Sequence, residues 1–404
     1  MNSHHFHRRC HVHLFLVIIK ILILSDHHHV HGYITSPLSS LSSFNRRHSL
    51  MLTKMSESST ANTWSLSKKA SVLIEKAKSM DKNLGKGESK GSYSAVSWSN
   101  RLGTVLTPVS EPSVYSADRP FYWNRIDVGG RMTVIQLSSS SPENNGKPDL
   151  WVHSPVGLDE DLISAIDELG TVKHVVSPNY EHVKYAKQWA DQYPNANIWG
   201  CPGLMERETH VRWTGELPFD CRPPTYNDSK ATTSKENMWD WNEIQPLHLN
   251  IETNPFTGKP FFNEVLFYHA PSKSLLTTDF YWNYPSSTGI TNEEHESLPG
   301  GSKSKLANEE EGLDFGVWKL APKVDEVPTG SRLWKFGMDK IYKPFYFNLM
   351  VKTDQRDEFE KMTSFILGTS VASGWDIETL IPAHGDIVRG RTLVRTVLRK
   401  FCNL

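Results

Sequence analysis

Apolar residues recur from residue 131 onward with two periods, and strand-like and helix-like stretches alternate along the chain. Four apolar runs have the length and the β-branched or aromatic content of strands: Met132–Leu137, Leu150–Ser154, Val172–Val176 and Asn197–Trp199. Helical spacing covers Asp159–Leu169, which ends at Gly170, and Tyr185–Tyr193, which ends before Pro194. Strands that alternate with helices predict an α/β layered protein.

The second half of the chain adds a hairpin and two helices. Val265–His269 and Ser274–Thr278 are strand-like runs around the turn-forming residues Ala270–Lys273, which predicts an antiparallel hairpin. Asp357–Leu367 predicts a helix, and Thr392–Phe401 predicts a basic terminal helix.

The pattern divides the chain into a presequence (residues 1–60), an intermediate segment (61–120) and one domain (121–404). In the intermediate segment, Thr63–Lys82 predicts an amphipathic helix. The Gly-, Ser- and Pro-bearing stretch Asn83–Pro120 predicts an irregular arm on the domain surface. Within the domain, the segment near 286–312 has few apolar residues and is predicted to be a disordered insertion.

The presequence has two parts. Leu14–Leu24 is an apolar run preceded by Arg8 and Arg9, as in a signal peptide, and it is too short to span a bilayer. Gly32–Met55 is rich in Ser and contains no acidic residue, as in a transit peptide. This order resembles the presequences of plastid proteins that first enter the endoplasmic reticulum, so it predicts a plastid location. The alternative is the secretory pathway or another endomembrane compartment. No stable transmembrane span is expected in the mature chain.

Composition excludes several classes of function. Lys and Arg number 44 against 45 for Asp and Glu, so no global positive field favours nucleic acid as a partner. The four cysteines form no CxxC pair, and a disulfide framework is not expected. The chain contains no phosphate-binding glycine loop, no GxSxG elbow and no nucleotide fingerprint. The partners that remain are a small-molecule substrate or another protein.

Candidate metal ligands follow three of the apolar runs. Glu181 and His182 come after Val172–Val176, Asp279 ends the second strand of the hairpin, and His384 follows a short apolar run and precedes a glycine. Carboxylates and imidazoles bind zinc, iron and manganese, and strand ends of an α/β fold can converge. Each residue also has an ordinary structural explanation, such as a helix-start carboxylate, a loop cap or a backbone hydrogen bond.

The order of these motifs resembles the metallo-β-lactamase superfamily. In that superfamily a strand leads into an Asp-His loop, the second strand of a hairpin ends in Asp, and a Pro-x-His-Gly motif comes late. The chain is most similar to an uncharacterised domain-of-unknown-function family found in photosynthetic organisms and bacteria. The resemblance covers residues 120 to 400 approximately and implies an αββα four-layer sandwich, here with an N-terminal arm and a helical C-terminal segment.

The chain departs from the superfamily at one of the two metal positions. The first loop of the superfamily reads His-x-His-x-Asp-His, and here Ser177, Asn179, Glu181 and His182 stand at the corresponding places. The third histidine of the first position should fall near Lys259–Phe261, where no histidine occurs. The resemblance therefore implies at most one ion of zinc, iron or manganese, held by Glu181, His182, Asp279 and His384.

Two functions are compatible with the sequence. The first is a mononuclear metal-dependent hydrolase of esters, thioesters or lactones, in which a metal-bound water is the nucleophile and no side chain is assigned a catalytic role. The alternative is a non-catalytic binding or scaffold protein that keeps the fold and has lost the metal site. In the second case the aromatic segment Trp334–Phe347 is the expected contact surface, although it also suits a packed outer layer.

Overall fold

The structure is a computed structural model, and all of its described residues lie in the unit Lys78–Leu404. The described residues are 105–110, 113–119, 122–123, 126–127, 129–139, 146–226, 237–255, 257–283, 336–351, 355–368, 374–385 and 387–402. The predicted presequence (1–60), the predicted helix Thr63–Lys82 and the predicted insertion near 286–312 lie outside these residues.

The strands are β1 (Thr107–Ser110), β2 (Val114–Arg119), β3 (Tyr122–Trp123), β4 (Ile126–Asp127), β5 (Gly130–Gln136), β6 (Asp149–His153), β7 (Thr171–Ser177), β8 (Asn197–Gly200), β9 (Gly215–Glu216), β10 (Ile244–His248), β11 (Val265–His269), β12 (Ser274–Thr277), β13 (Thr379–Pro382) and β14 (Val388–Arg389). The helices are α1 (Glu160–Leu169), α2 (Ala186–Gln192), α3 (Leu204–Arg207), α4 (Lys343–Phe345), α5 (Arg356–Ile366) and α6 (Arg391–Cys402).

Two sheets contain most of the strands. The seven-stranded sheet has the order β1-β2-β5-β6-β7-β8-β9, and the five-stranded sheet has the order β10-β11-β12-β13-β14. Strands β6 to β9 pair in parallel, and helices α1 and α2 make the crossovers before β7 and β8. In the second sheet the β11–β12 hairpin is antiparallel, and β12 pairs in parallel with β13.

The sequence explains where α1 begins and ends. Asp159 caps the helix because its Oδ1 accepts the Leu162 N–H at 2.8 Å. Gly170 ends the helix, and a Cβ there would lie 2.5 Å from the Pro148 carbonyl oxygen, so a larger residue would force the backbone apart.

The two sheets pack face to face. The Trp151 ring of β6 meets the Phe267 ring of β11 with centroids 5.0 Å apart, and one hydrophobic cluster includes residues of both sheets. Helices α1 and α2 contact β7 of the first sheet, and α6 contacts β13 and β14 of the second. The predicted α/β sandwich of two sheets with helices is therefore confirmed.

Several strands differ from the sequence prediction, and β2 and β10 are the longest of them. Strand β2 lies in the segment expected to be irregular. Its polar residues Ser116 and Arg119 do not suggest a buried strand, but they become buried when β2 pairs with β5. Strand β10 was not predicted, since it contains Pro246. It lies at the edge of its sheet, where a residue without an N–H is tolerated.

The aromatic rings in the described part of the segment Trp334–Phe347 are mostly buried. This part of the chain runs through two π-helical pieces, Met338–Tyr342 and Tyr346–Met350, on either side of α4. Its rings of Tyr342, Phe345 and Phe347 are buried. The described part of the segment therefore offers little aromatic contact surface.

None of the helices in the described ranges is long and apolar enough to cross a bilayer. Cys201, Cys221 and Cys402 are buried and free.

A buried histidine of β7 leads to a prediction about stability and pH. Burial, with a smaller contribution from Lys173, lowers the pKa of His174 to about 3. Its Nδ1 accepts the Trp199 Nε1–H at 3.1 Å, which requires the neutral ring. The unfolded chain takes up this proton near pH ~6.5, whereas the folded protein does so only near its own pKa. The unfolded state thus binds more protons between these values, and His174 costs stability as the pH falls through this window.

When the pH falls from about 7 to about 5, we therefore expect the free energy of unfolding to decrease in both proteins. The decrease should be about 2 kcal/mol smaller in His174→Gln than in the wild type. Urea denaturation at both pH values measures this difference. His210, whose side chain is 61% exposed, supplies the control: His210→Gln should follow the wild-type pH dependence. An equal loss in His174→Gln and the wild type would contradict the expectation.

Candidate metal centre

Three loops that follow strands meet at one edge of the sandwich. In the parallel β12–β13 pair, Thr277 lies opposite Pro382. Asp279 and His384 each lie two residues beyond that pair, so they emerge side by side. The loop after β7 is tied to the second sheet, because the Val265 N–H donates to the Pro178 carbonyl at 2.9 Å. This loop brings His182 from the first sheet to the same place.

His182, Asp279 and His384 form one compact cluster. The two imidazole Nε2 atoms are 3.1 Å apart. The His182 Nε2 is 3.3 Å from Asp279 Oδ2, and the His384 Nε2 is 3.5 Å from Asp279 Oδ1. In the described residues these three side chains form a group whose ligand atoms all lie within 4.8 Å of one another. Three of the four predicted ligands are thus brought together.

The cluster is nearly closed to solvent, and this affects its charges. His182 is 5% exposed, Asp279 9% and His384 6%. Burial opposes ionisation of Asp279, but His182 and His384 outweigh it and hold the pKa of this carboxyl below its usual range. Burial lowers the pKa of His182, against the opposing attraction of Asp279. The arrangement therefore favours an ionised carboxylate beside a neutral His182, which is the protonation that metal ligands need.

The His384 ring is fixed from its other side. The His384 Nδ1–H donates to the Gly129 carbonyl at 2.6 Å, since a carbonyl only accepts. The Nε2 of the neutral ring therefore carries a lone pair that faces the cluster. The next residue, Gly385, has φ 87°, a conformation that L side chains rarely adopt.

Arg131 of β5 holds the loop that carries His384. The Arg131 Nη1 donates to the Pro382 carbonyl at 2.8 Å and to the Gly385 carbonyl at 2.7 Å. The Arg131 backbone N–H donates to the Ala383 carbonyl at 2.8 Å. Its Nε lies 2.7 Å from Asp118 Oδ1, so the guanidinium is also paired in charge. One buried arginine of the first sheet therefore anchors the backbone on both sides of a candidate ligand from the second.

His182 is oriented by a serine. Its Nδ1 lies 2.7 Å from Ser154 Oγ, and the hydroxyl can donate or accept as the tautomer requires. Ser154 directly follows β6 and has φ 53°, an uncommon backbone conformation for a residue other than glycine. Contacts of this kind to the second ring nitrogen fix the orientation of metal-binding histidines.

Asp279 is held by two buried polar side chains. The Glu264 carboxylate accepts the N–H groups of Thr278 and Phe280, the two neighbours of Asp279, each at 2.6 Å. The Asn179 Nδ2 donates to Asp279 Oδ2 at 2.6 Å. Burial raises the pKa of Glu264 to about 8, and the charge of Asp279 adds to this shift.

Glu181, the fourth predicted ligand, is not part of the compact group. Its backbone N–H donates to Asn179 Oδ1 at 3.0 Å. The structure therefore brings together two histidines and one carboxylate, and Glu181 as a metal ligand remains a prediction.

Sequence reasoning did not identify Ser154, Arg131 or Glu264 as parts of the site. Ser154 could have been found, because it ends a predicted strand as the candidate ligands do. Arg131 gave no signal, since the backbone carbonyls that it contacts lie more than 250 positions away.

The donor set fits one transition-metal ion. Imidazole nitrogen and carboxylate oxygen are ligands of zinc, iron and manganese. Ligand atoms about 2.0 to 2.2 Å from one ion lie about 2.8 to 3.6 Å from each other in tetrahedral or octahedral geometry. The 3.1 Å between the two Nε2 atoms falls in this range, and the two shortest separations to Asp279 are 3.3 Å from His182 to Oδ2 and 3.5 Å from His384 to Oδ1. The lone pair of His384 Nε2, 3.1 Å from His182 Nε2, is satisfied by a proton on that nitrogen or by a metal ion between the two rings.

Other buried histidines have structural partners. His248 Nδ1 accepts the Asp220 N–H at 3.0 Å, and its Nε2 lies 2.9 Å from Asn263 Oδ1. His269 Nδ1 lies 2.7 Å from Ser272 Oγ.

Residues 112–308 match the family model described as Domain of unknown function (DUF4336). None of the curated protein sequences compared with the chain matches it. Among solved structures, the metallo-β-lactamase from Pontibacter korlensis matches at 13% identity and a TM-score of 0.35, over 74% of this chain and 99% of that one. The metallo-β-lactamase from Hirschia baltica matches at 8% identity and a TM-score of 0.34, over 72% of this chain and 94% of that one. Rubredoxin oxygen:oxidoreductase from Desulfovibrio gigas matches at 13% identity and a TM-score of 0.40, over 74% of this chain and 61% of that one. Scores this low transfer neither a site nor an activity.

Proposed function

We propose that the protein is a mononuclear metal-dependent hydrolase. The chain folds as an α/β sandwich, and its residues 112–308 match the family model DUF4336, a domain of unknown function. The proposed substrates are esters, thioesters or lactones. The convergence of His182, Asp279 and His384 at the ends of three strands carries this proposal.

Each residue has a distinct part in the proposed site. His182 and His384 would bind the ion through Nε2 and Asp279 through a carboxylate oxygen, which supplies one negative charge. Ser154 and the Gly129 carbonyl orient the two rings through Nδ1. A bound divalent ion supplies Lewis-acid polarisation of a carbonyl and lowers the pKa of water towards neutrality. The low exposure of the three side chains keeps the surroundings of the ion poorly hydrated.

Metal analysis tests the proposal. The full-length protein, purified without chelator, is expected to hold about one equivalent of zinc, iron or manganese. Removal of the metal by a chelator should abolish hydrolysis of a panel of esters, thioesters and lactones, and addition of the native ion should restore it. Less than about a tenth of an equivalent, together with no binding of added ion, would rule out the hydrolase.

A binding or scaffold protein is the second candidate. The residues Ser177 and Asn179, which stand where the resemblance expects histidines, support it. This candidate, which has lost the metal site, predicts that the protein binds no ion and turns over no member of the same panel. Hydrolysis that depends on the ion would count against it.

A further inference from the structure

A buried asparagine beside the cluster connects the two loops that bring His182 and Asp279. Asn179 is 0% exposed. Its Oδ1 accepts the backbone N–H groups of Glu181 at 3.0 Å and of His182 at 2.8 Å. Its Nδ2 donates to Asp279 Oδ2 at 2.6 Å and to Thr278 Oγ1 at 2.9 Å. One amide therefore joins a loop that follows β7 of the first sheet to a loop that follows β12 of the second.

These bonds fix which way the amide points. A backbone N–H only donates, so the atom facing Glu181 N and His182 N must be the oxygen. The NH₂ group must then face Asp279 and Thr278. The four contacts use both donors and both acceptor lone pairs of the side chain, and a reversed amide would lose the three to Glu181 N, His182 N and the Asp279 carboxylate.

The direction of the amide has a consequence for cations. An N–H donor carries partial positive charge, and here it occupies one side of the Asp279 carboxylate. A second cation at this position would meet the donor instead of a lone pair. Ser177, the other residue at a position where the resemblance expects histidine, is buried and lies at the end of β7.

We propose that Asn179 is a positioning residue that sets the carboxylate of Asp279 against the two histidines. This inference rests on the proposed metal site. Asn179 acts through Asp279 and the His182 loop, and it binds neither ion nor substrate itself.

Two substitutions separate this role from simple anchoring of the loop. Asn179→Ala removes all four hydrogen bonds. Asn179→Asp keeps the size and the acceptor for the N–H groups of Glu181 and His182, and replaces only the NH₂ group with an oxygen. Full-length wild type and both variants are titrated with Co²⁺, whose visible absorption reports ligand geometry, and Zn²⁺ competition gives the dissociation constants.

The wild type is expected to bind about one equivalent, and Asn179→Ala about one equivalent with 10- to 100-fold weaker affinity and an altered Co²⁺ spectrum. Asn179→Asp is expected to bind about one equivalent with a shifted Co²⁺ spectrum, because the donor that orients Asp279 is replaced by a carboxylate that repels it. If Asn179→Ala does not fold, as judged by circular dichroism, the nearly isosteric Asn179→Asp decides the matter.

Three results would overturn the inference. Wild-type affinity and stoichiometry in both variants would show that Asn179 does not act on the ion. A wild-type Co²⁺ spectrum together with wild-type affinity in Asn179→Asp would leave Asn179 as a loop anchor only. In both cases the proposed hydrolase stands. A wild type that binds no ion would remove the hydrolase and the inference together.

Discussion

The variant His384→Ala is expected to lose more than about 100-fold in affinity for the bound ion. In the proposed centre His384 supplies one of three protein ligand atoms, and its Nε2 lies 3.1 Å from the Nε2 of His182. Its removal leaves one imidazole and one carboxylate, too few to hold an ion firmly. Excess metal at about 100 times the dissociation constant should stabilise the wild type by about 2.7 kcal/mol in urea denaturation and leave the variant almost unchanged.

Two controls make this result specific. His210→Ala removes an exposed histidine and should bind metal as the wild type does. Glu181→Ala tests a residue that the sequence predicts to be a ligand but that lies outside the compact group. An affinity within about three-fold of the wild type would show that Glu181 is not a ligand. A loss in Glu181→Ala as large as that in His384→Ala would show that Glu181 moves in to bind the ion.

Replacing Arg131 by Met is expected to lower the free energy of unfolding by about 3 kcal/mol. The substitution leaves the carbonyls of Pro382 and Gly385 without the guanidinium and leaves Asp118 without its charge partner. Asp118 keeps a side-chain exposure of 20%, so the cost lies at the lower end of the range for a broken buried pair. Because the same loop carries His384, metal affinity should also fall by about 10- to 100-fold.

The matched control is Arg391→Met, which removes a surface arginine that is 45% exposed and paired with Asp376 and Glu378. It should cost less than about 1 kcal/mol and leave metal affinity unchanged. Arg131→Lys provides an intermediate, because an ammonium group cannot reach both carbonyls and the carboxylate with the geometry of a guanidinium. Wild-type stability in Arg131→Met would refute the anchoring role.

Most of the central elements could be predicted from the sequence, because hydrophobic period and caps are local properties. Helix α1 shows this best, with its cap at Asp159 and its end at Gly170. Strands β2 and β10 were missed for the opposite reason. The polar residues of β2 are tolerated because β2 pairs with β5, and Pro246 is tolerated because β10 lies at the edge of its sheet.

For the candidate site, the chain itself determined which imidazoles and which carboxylate were available at strand ends: His182, Asp279 and His384 all follow apolar runs. The sequence could not separate Glu181 from these three, since adjacent residues in a loop share every local signal. Only the tertiary structure made that separation and supplied Ser154, Asn179 and Arg131 around the cluster. The physical reason is that strand pairing and sheet stacking bring together residues that lie about 100 to 250 positions apart, and no local pattern along the chain encodes contacts at that separation.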